Sequence, residues 1–390
     1  MVLVDYKKAF DMVDHCILLD KLGAYHLDQS SLDWFKSYLS DRKQYVNFKR
    51  QSSTTKVITD GVPQGSILGL LLFLVFINDL PLHINTQVDL FADDTTLLAA
   101  TDYNDINELN EKLSLEVSNV QNWAITNKLP LNTTKTKTIL ISGKRLKAKL
   151  TPENQTLNIK LNDDSLEQEH TVKLLGFNID EDLNFDTHVD IIAMKLSKRI
   201  GILKSIKSYL PRNERILFYN AMIKPLFLYC SITWTNCSKN NITKIFKLQK
   251  RCARIILDAE PRHSSINLFN NLGWLPFYVE SDIRKCIMIY KRTINATTPE
   301  YLNRLLNLNS QQHSRNTRSA DLSLVTPKYN RATEAGRTFS ITAIGLWNKL
   351  PLSYPSASSI NCFKYLLYNC FRTHLSEFKQ FTSFPDFKFK

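Results

Sequence analysis

Val88-Asp89-Leu90-Phe91-Ala92-Asp93-Asp94-Thr95-Thr96-Leu97-Leu98 sets two adjacent carboxylates at the join of two short apolar segments. Aspartate favours turns and threonine favours strands, so the stretch is expected to fold as a β-hairpin with the acids at its tip. A third carboxylate, Asp5 in Leu3-Val4-Asp5-Tyr6, also closes an apolar, strand-like run. Strands with acids at their tips can be laid side by side so that three carboxylates converge. Such a cluster repels itself unless cations neutralise it. Mg²⁺ takes oxygen ligands from one or two carboxylates plus substrate phosphates. Two such ions about 3.5–4 Å apart stabilise both the attacking and the leaving oxygen of a phosphoryl transfer. An isolated Asp-Asp-Thr-Thr is equally a plain hairpin, and the surroundings decide between the two.

Between the acids lies Gly61-Val62-Pro63-Gln64-Gly65-Ser66, followed by the apolar run that starts at Ile67. Two glycines let backbone approach a ligand closely, and the proline stiffens the loop. Ser66 is placed to cap the helix that follows. Gln64 would then offer a donor and an acceptor at the base of that helix, although a loop feeding a buried helix would look the same. The run from Ile67 to Asn78 is far short of the ~20 residues that span a bilayer, so a core helix is expected.

Taken in order, Asp5-Tyr6-Lys7-Lys8-Ala9-Phe10-Asp11, the Gly61–Ser66 loop and Phe91-Ala92-Asp93-Asp94 resemble a reverse transcriptase. More narrowly, they are similar to the polymerase of a metazoan non-LTR, LINE-type retrotransposon. Trp34-Phe35-Lys36-Ser37-Tyr38-Leu39, Leu131-Asn132-Thr133-Thr134-Lys135-Thr136-Lys137 and Leu174-Leu175-Gly176-Phe177 fit the same family. So do Gln249-Lys250-Arg251 with Arg254, and Leu346-Trp347-Asn348-Lys349-Leu350-Pro351. The resemblance implies that Asp5, Asp93 and Asp94 are the catalytic, metal-binding acids, with Mg²⁺ or Mn²⁺ as cofactor. Phe10 would be the gate beside the incoming sugar, or simply a core aromatic. Gln64 and Gly65 would touch template and incoming nucleotide. Lys135 would meet the leaving pyrophosphate, with Lys137 competing for that place. RNA template, DNA primer and deoxynucleoside triphosphates are the implied partners. Asp11 or Asp14 is expected to cap the following helix rather than to act as acid or base, and His15 to be a surface or cap residue.

Two departures stand out. Leu70 stands where the family usually has proline. The fingers region and endonuclease that the family carries upstream of the first aspartate are not in this sequence, so an N-terminally truncated chain is expected. The alternative is a catalytically inactive remnant that binds nucleic acid; a group II intron-type maturase is a weaker third option.

Charge is unevenly spread. The whole chain carries a net charge of +13, but residues 1–190 hold 19 Lys+Arg against 27 Asp+Glu, whereas residues 191–390 hold 31 against 10. An acidic half that concentrates metal and a basic half that holds a phosphate backbone suit a polymerase. In the basic half, Lys195, Lys198 and Arg199, and Lys250, Arg251 and Arg254, recur at helical spacing. Each set could track a template–primer backbone or be the wet face of an amphipathic helix. The seven cysteines form no Cys-x-x-Cys pair and no basic-then-apolar leader opens the sequence, so an intracellular protein, in nucleus or cytoplasm, is expected. Cys362, Cys370 and His374 lack a fourth ligand at zinc-like spacing.

The expected fold is α+β. A polymerase palm over residues 1–180, an antiparallel sheet with helices on one face, precedes a helical thumb over 181–308 and a C-terminal region of unknown role over 309–390. Within the palm, two helices around Gly23, a hairpin over residues 44–59, a helix over 104–127 and a strand over 137–142 are expected.

Overall fold

Val2–Val4 form a strand (β1) whose side chains divide a five-stranded sheet into two faces. Val2 and Val4 enter the larger core with Tyr6, Leu97 and residues of the flanking helices. Leu3 points the other way, onto a smaller cluster of Met1, Ile139 and Val172. The sequence Gln87–Phe91 (β2) and Asp94–Leu98 (β3) closes as the expected hairpin, with Phe91 opposite Asp94. β3 lies against β1 in the register Val2↔Leu97, Leu3↔Thr96, Val4↔Thr95. On the other side of β1 runs Lys137–Thr138 (β4), and beyond it Glu167–Gln168 (β5), giving the order β5-β4-β1-β3-β2. The sheet is antiparallel at every junction but the last, where β5 runs parallel to β4. A separate hairpin, Thr171–Leu174 (β6) with Phe177–Asp180 (β7), turns through Leu175 and Gly176, both at positive φ.

These elements belong to the first of two compact units, Met1–Leu183 and Asn184–Lys390. The computed structural model describes residues 1–390 except 103–104, 144–146, 162–163, 295–298, 309–321, 329–337, 352 and 374–390. His374 of the loose Cys/His group therefore lies outside the described residues.

Among the described residues of the first unit, the longer helices are His15–Ala24 (α1), Gln29–Leu39 (α2), Ile67–Ile77 (α3) and Ile106–Thr126 (α4). Asp14 caps α1 by accepting from Ile17 N–H, and Asp28 caps α2 by accepting from Ser31 N–H. The break between these helices falls at residues 25–28 rather than at Gly23, because Asp28 supplies the cap that starts α2. The three-to-four spacing of α4 buries Ile106, Leu109, Leu113, Val117, Val120 and Trp123. Glu116 is buried on the same helix, where both carboxylate oxygens accept from Asn85 N–H. α3 is less enclosed than a core helix. Leu72, Phe73, Phe76 and Ile77 are buried, while Ile67, Leu70, Leu71 and Leu74 stay exposed. The hairpin over 44–59 is present as two short ladders, Lys43–Gln44 with Lys56–Val57 and Asn47–Phe48 with Gln51–Ser52.

The second unit is mainly helical where described, with one antiparallel bridge between Leu308 and Leu324. Asp186–Ile206 (α5) buries Val189, Ile192, Leu196, Ile200 and Leu203 and packs on Lys239–Ile256 (α6). Phe277–Ile294 (α7) packs on Phe339–Trp347 (α8) and Ile360–Thr373 (α9). No described helix is long and apolar enough to cross a membrane.

Candidate active site

Alternation along β1 puts Asp5 on the face opposite Val4 and Tyr6. One step beyond Val4↔Thr95, the register sets Asp5 beside Asp94. Asp93 occupies the turn itself, next to Ala92 at φ +53. The charges act on one another: burial, then Asp93, then Asp5 raise the carboxyl of Asp94 above the ordinary range. The Tyr6 phenol, buried and bonded to Thr95 Oγ1 at 3.4 Å, is pushed up to about 12, mainly by burial and in small part by the charge of Asp93. Thus Asp5 and Asp94 share a face at neighbouring strand ends, with Asp93 in the turn between strands. Among the described residues, no group of three His, Cys, Asp or Glu is arranged to hold one metal ion. Nor does any Lys or Arg ion pair with these acids among the described residues. Hard oxygen donors with uncompensated charge are the donor set that suits Mg²⁺ or Mn²⁺.

The segment after α4 wraps Asp5. Asp5 N–H donates to Thr136 Oγ1 at 3.2 Å, and Asn132 N–H donates to the Asp5 carbonyl at 2.8 Å. The Asn132 side-chain amide donates to Asp5 Oδ2 at 2.9 Å. Sequence reasoning assigned no role to Asn132 or Thr136, although both lie in the motif Leu131–Lys137. Within that motif the two lysines differ. Lys137 is ion-paired with Glu167, and with Glu169 at 3.5 Å. Lys135 is exposed, and its side chain makes no bond among the described residues.

The Gly61–Ser66 loop is fastened to the segment after β1. Gly61 N–H donates to the Val13 carbonyl and Val62 N–H to the Phe10 carbonyl, each at 2.8 Å. His15 Nε2 and Arg42 Nη1 both bond the Gly61 carbonyl, at 2.8 and 3.3 Å, which gives His15 a structural place. A Cβ on Gly61, at φ +84, would meet the Asp11 backbone at 2.7 Å, so only glycine fits. Gln64 is exposed and donates to Asp11 Oδ1 at 2.9 Å, and Gly65, at φ +83, has open space around it. Ser66 caps α3 by accepting from Gly69 N–H and donates to the Pro63 carbonyl, both at 2.9 Å. Phe10 is half-buried and stacks on Phe73, ring centroids 4.3 Å apart, so it is at least a core aromatic.

In the second unit the two basic sets are unlike. On α5, Lys195 and Lys198 are exposed, but Arg199 donates to the Met222 carbonyl. On α6, Gln249 is buried and binds three groups: the Leu275 carbonyl, Phe277 N–H and Tyr219 hydroxyl. Next to it Lys250 lies over the Phe246 ring at 4.7 Å. Its ammonium is held below the usual lysine range by burial and by the nearby cations Arg254 and Lys247. Arg251 is exposed, and Arg254 Nε is buried with no hydrogen-bond partner among the described residues.

Residues 1–179 match the family described as reverse transcriptase (RNA-dependent DNA polymerase). Over those residues the chain is similar to the reverse transcriptases. It is 30% identical over 268 residues to a probable RNA-directed DNA polymerase from transposon BS of Drosophila melanogaster, covering 66% of this chain and 29% of that protein. Against the RNA-directed DNA polymerase from mobile element jockey of the same fly, identity is 27% over 269 residues, covering 66% and 28%. Against the Pol polyprotein from the type-1 retrotransposable element R1 of Bradysia coprophila it is 26% over 306 residues, covering 75% and 29%. These relatives come from a transposon, a mobile element and a retrotransposable element, and this chain spans under a third of the length of each.

Proposed function

We propose that this chain carries the palm and thumb of an RNA-directed DNA polymerase that extends a DNA primer on an RNA template. The observation that carries the reading is the strand register that sets Asp5 beside Asp94, with Asp93 in the adjoining turn, within a reverse transcriptase sequence. Asp5, Asp93 and Asp94 would hold the divalent ions. When bound, these ions neutralise charge at the attacking 3′-hydroxyl oxygen and the leaving pyrophosphate. The carboxyl of Asp94, raised first by burial and then by Asp93 and Asp5, would be relieved by a bound cation. The Gln64–Gly65 backbone, open to solvent and anchored through Asp11, would seat template and nucleotide. Phe10, braced by Phe73, would close the space beside the nucleotide sugar. Lys135 rather than Lys137 would meet the pyrophosphate, since Lys137 is already neutralised by two glutamates.

In the thumb, the Lys247, Lys250, Arg251 and Arg254 set on α6 would hold the phosphate backbone. Arg254 and Lys247 act on Lys250, none of the four ion-pairs with an acid among the described residues, and a phosphate would relieve that repulsion. Lys195 and Lys198 on α5 would add to it, while Arg199 serves its own helix neighbour. The same cations support a second reading, a remnant that binds nucleic acid without polymerising. Primer extension on an RNA template with Mg²⁺ separates the two. Extension that Asp93→Asn abolishes supports the enzyme; salt-sensitive binding without extension supports the remnant.

A further inference from the structure

A carboxylate near other acids has no electrostatic reason to keep one orientation, yet Asp5 makes three hydrogen bonds to a single short segment, one of them through its carboxylate. Asn132 receives a hydrogen bond from Thr134 Oγ1 on its Oδ1 at 2.8 Å, which fixes the amide with its nitrogen turned away from that oxygen. That nitrogen donates to Asp5 Oδ2 at 2.9 Å. Thr136 Oγ1 donates to the Asn132 carbonyl at 2.9 Å and accepts from Asp5 N–H, so it ties the two residues together a second time. Asn132 N–H closes the ring on the Asp5 carbonyl. A neutral donor in this place orders the acid without cancelling its charge, which a lysine or arginine would do. It also takes up one carboxylate oxygen, while Oδ1 makes no hydrogen bond among the described residues.

We propose that Asn132 is a positioning residue, which holds Asp5 by its Oδ2 and so leaves Oδ1 available to a divalent ion. The inference rests on the polymerase reading and adds to it the device that aims the first acid. Groups that orient a metal ligand in this way are worth about 10–100-fold in metal affinity.

The test is Mn²⁺ binding to the intact chain, followed by electron paramagnetic resonance of the free ion, with thermal melting in parallel. Asn132→Ala is expected to raise the Mn²⁺ Kd by about 10–100-fold with little change in melting. Thr134→Val, which frees the amide but keeps it, is expected to raise it several-fold. An Asn132→Ala chain that melts like the parent and keeps its affinity within about twofold overturns the proposal. If that variant does not fold, Thr134→Val with parental affinity overturns it instead. Parental binding that Asp93→Asn removes, but Asn132→Ala does not, sinks this inference alone. A parent chain with no Asp93-dependent binding sinks it together with the polymerase reading.

Discussion

Glycine at position 69, in the first turn of α3, is required for a reason opposite to the usual one. In an open helix, Gly→Ala stabilises by about 1 kcal/mol through propensity. Here a Cβ would stand 2.1 Å from the Pro63 carbonyl oxygen and 2.8 Å from Ser66 Oγ. The first clash is with backbone, so the Pro63–Ser66 turn must move. The second is with the cap itself, so the Gly69 N–H bond to Ser66 Oγ is strained or broken. Overpacking costs about 1–3 kcal/mol, and removal of a serine cap about 1. Offset by propensity, Gly69→Ala should destabilise by roughly 1–3 kcal/mol. Urea unfolding followed by circular dichroism would show a lowered midpoint with an unchanged slope. Because Pro63 and Ser66 flank Gln64 and Gly65, nucleotide affinity should fall as well. A midpoint equal to or above that of the parent would refute the packing argument.

Buried His188 is held down to about 4 by burial and by Lys195, so the unfolded chain, with an ordinary value of 6.5, takes the proton first. Its contribution is complete above pH 6.5, drains away as the pH falls toward 4, and amounts to roughly 3 kcal/mol; a His188→Phe chain should lack that share of the pH dependence of its melting. Gln249→Ala leaves Phe277 N–H and the Leu275 carbonyl without partners in a dry core, and should cost roughly 3 kcal/mol in chemical denaturation. Lys250→Gln combined with Arg254→Gln should weaken RNA binding and flatten the log Kd against log salt plot by about 0.7–0.9 for each phosphate no longer neutralised; an unchanged slope would remove α6 from the nucleic-acid surface.

Local signals were legible in the sequence. Ser66 as cap, the Asp93–Asp94 turn and the buried stripe of α4 each depend on residues within a few positions, and all three stand as read. The break between α1 and α2 lies away from Gly23, the helix-weakening residue of that stretch, because the Asp28 side chain makes the actual start of α2. The parallel β5, paired two residues at a time with β4, carries too little pattern to be seen. In the site, types and order of the acids were readable, but their handling was not. Asn132 meets Asp5 across 127 positions of chain, and Gln64 meets Asp11 across 53. Nothing in a run of residues announces such pairings. The two basic sets looked alike as helical stripes, and only tertiary partners separate Arg199, which holds the Met222 carbonyl, from the crowded cations of α6.

The most direct measurement is single-nucleotide primer extension on an RNA template with Mg²⁺, comparing the parent chain with Asp5→Asn and Asp93→Asn. Parent extension that falls by at least about a thousandfold in both variants, while each still melts normally, is the predicted result. Extension that survives either substitution would contradict the assignment of these acids to catalysis.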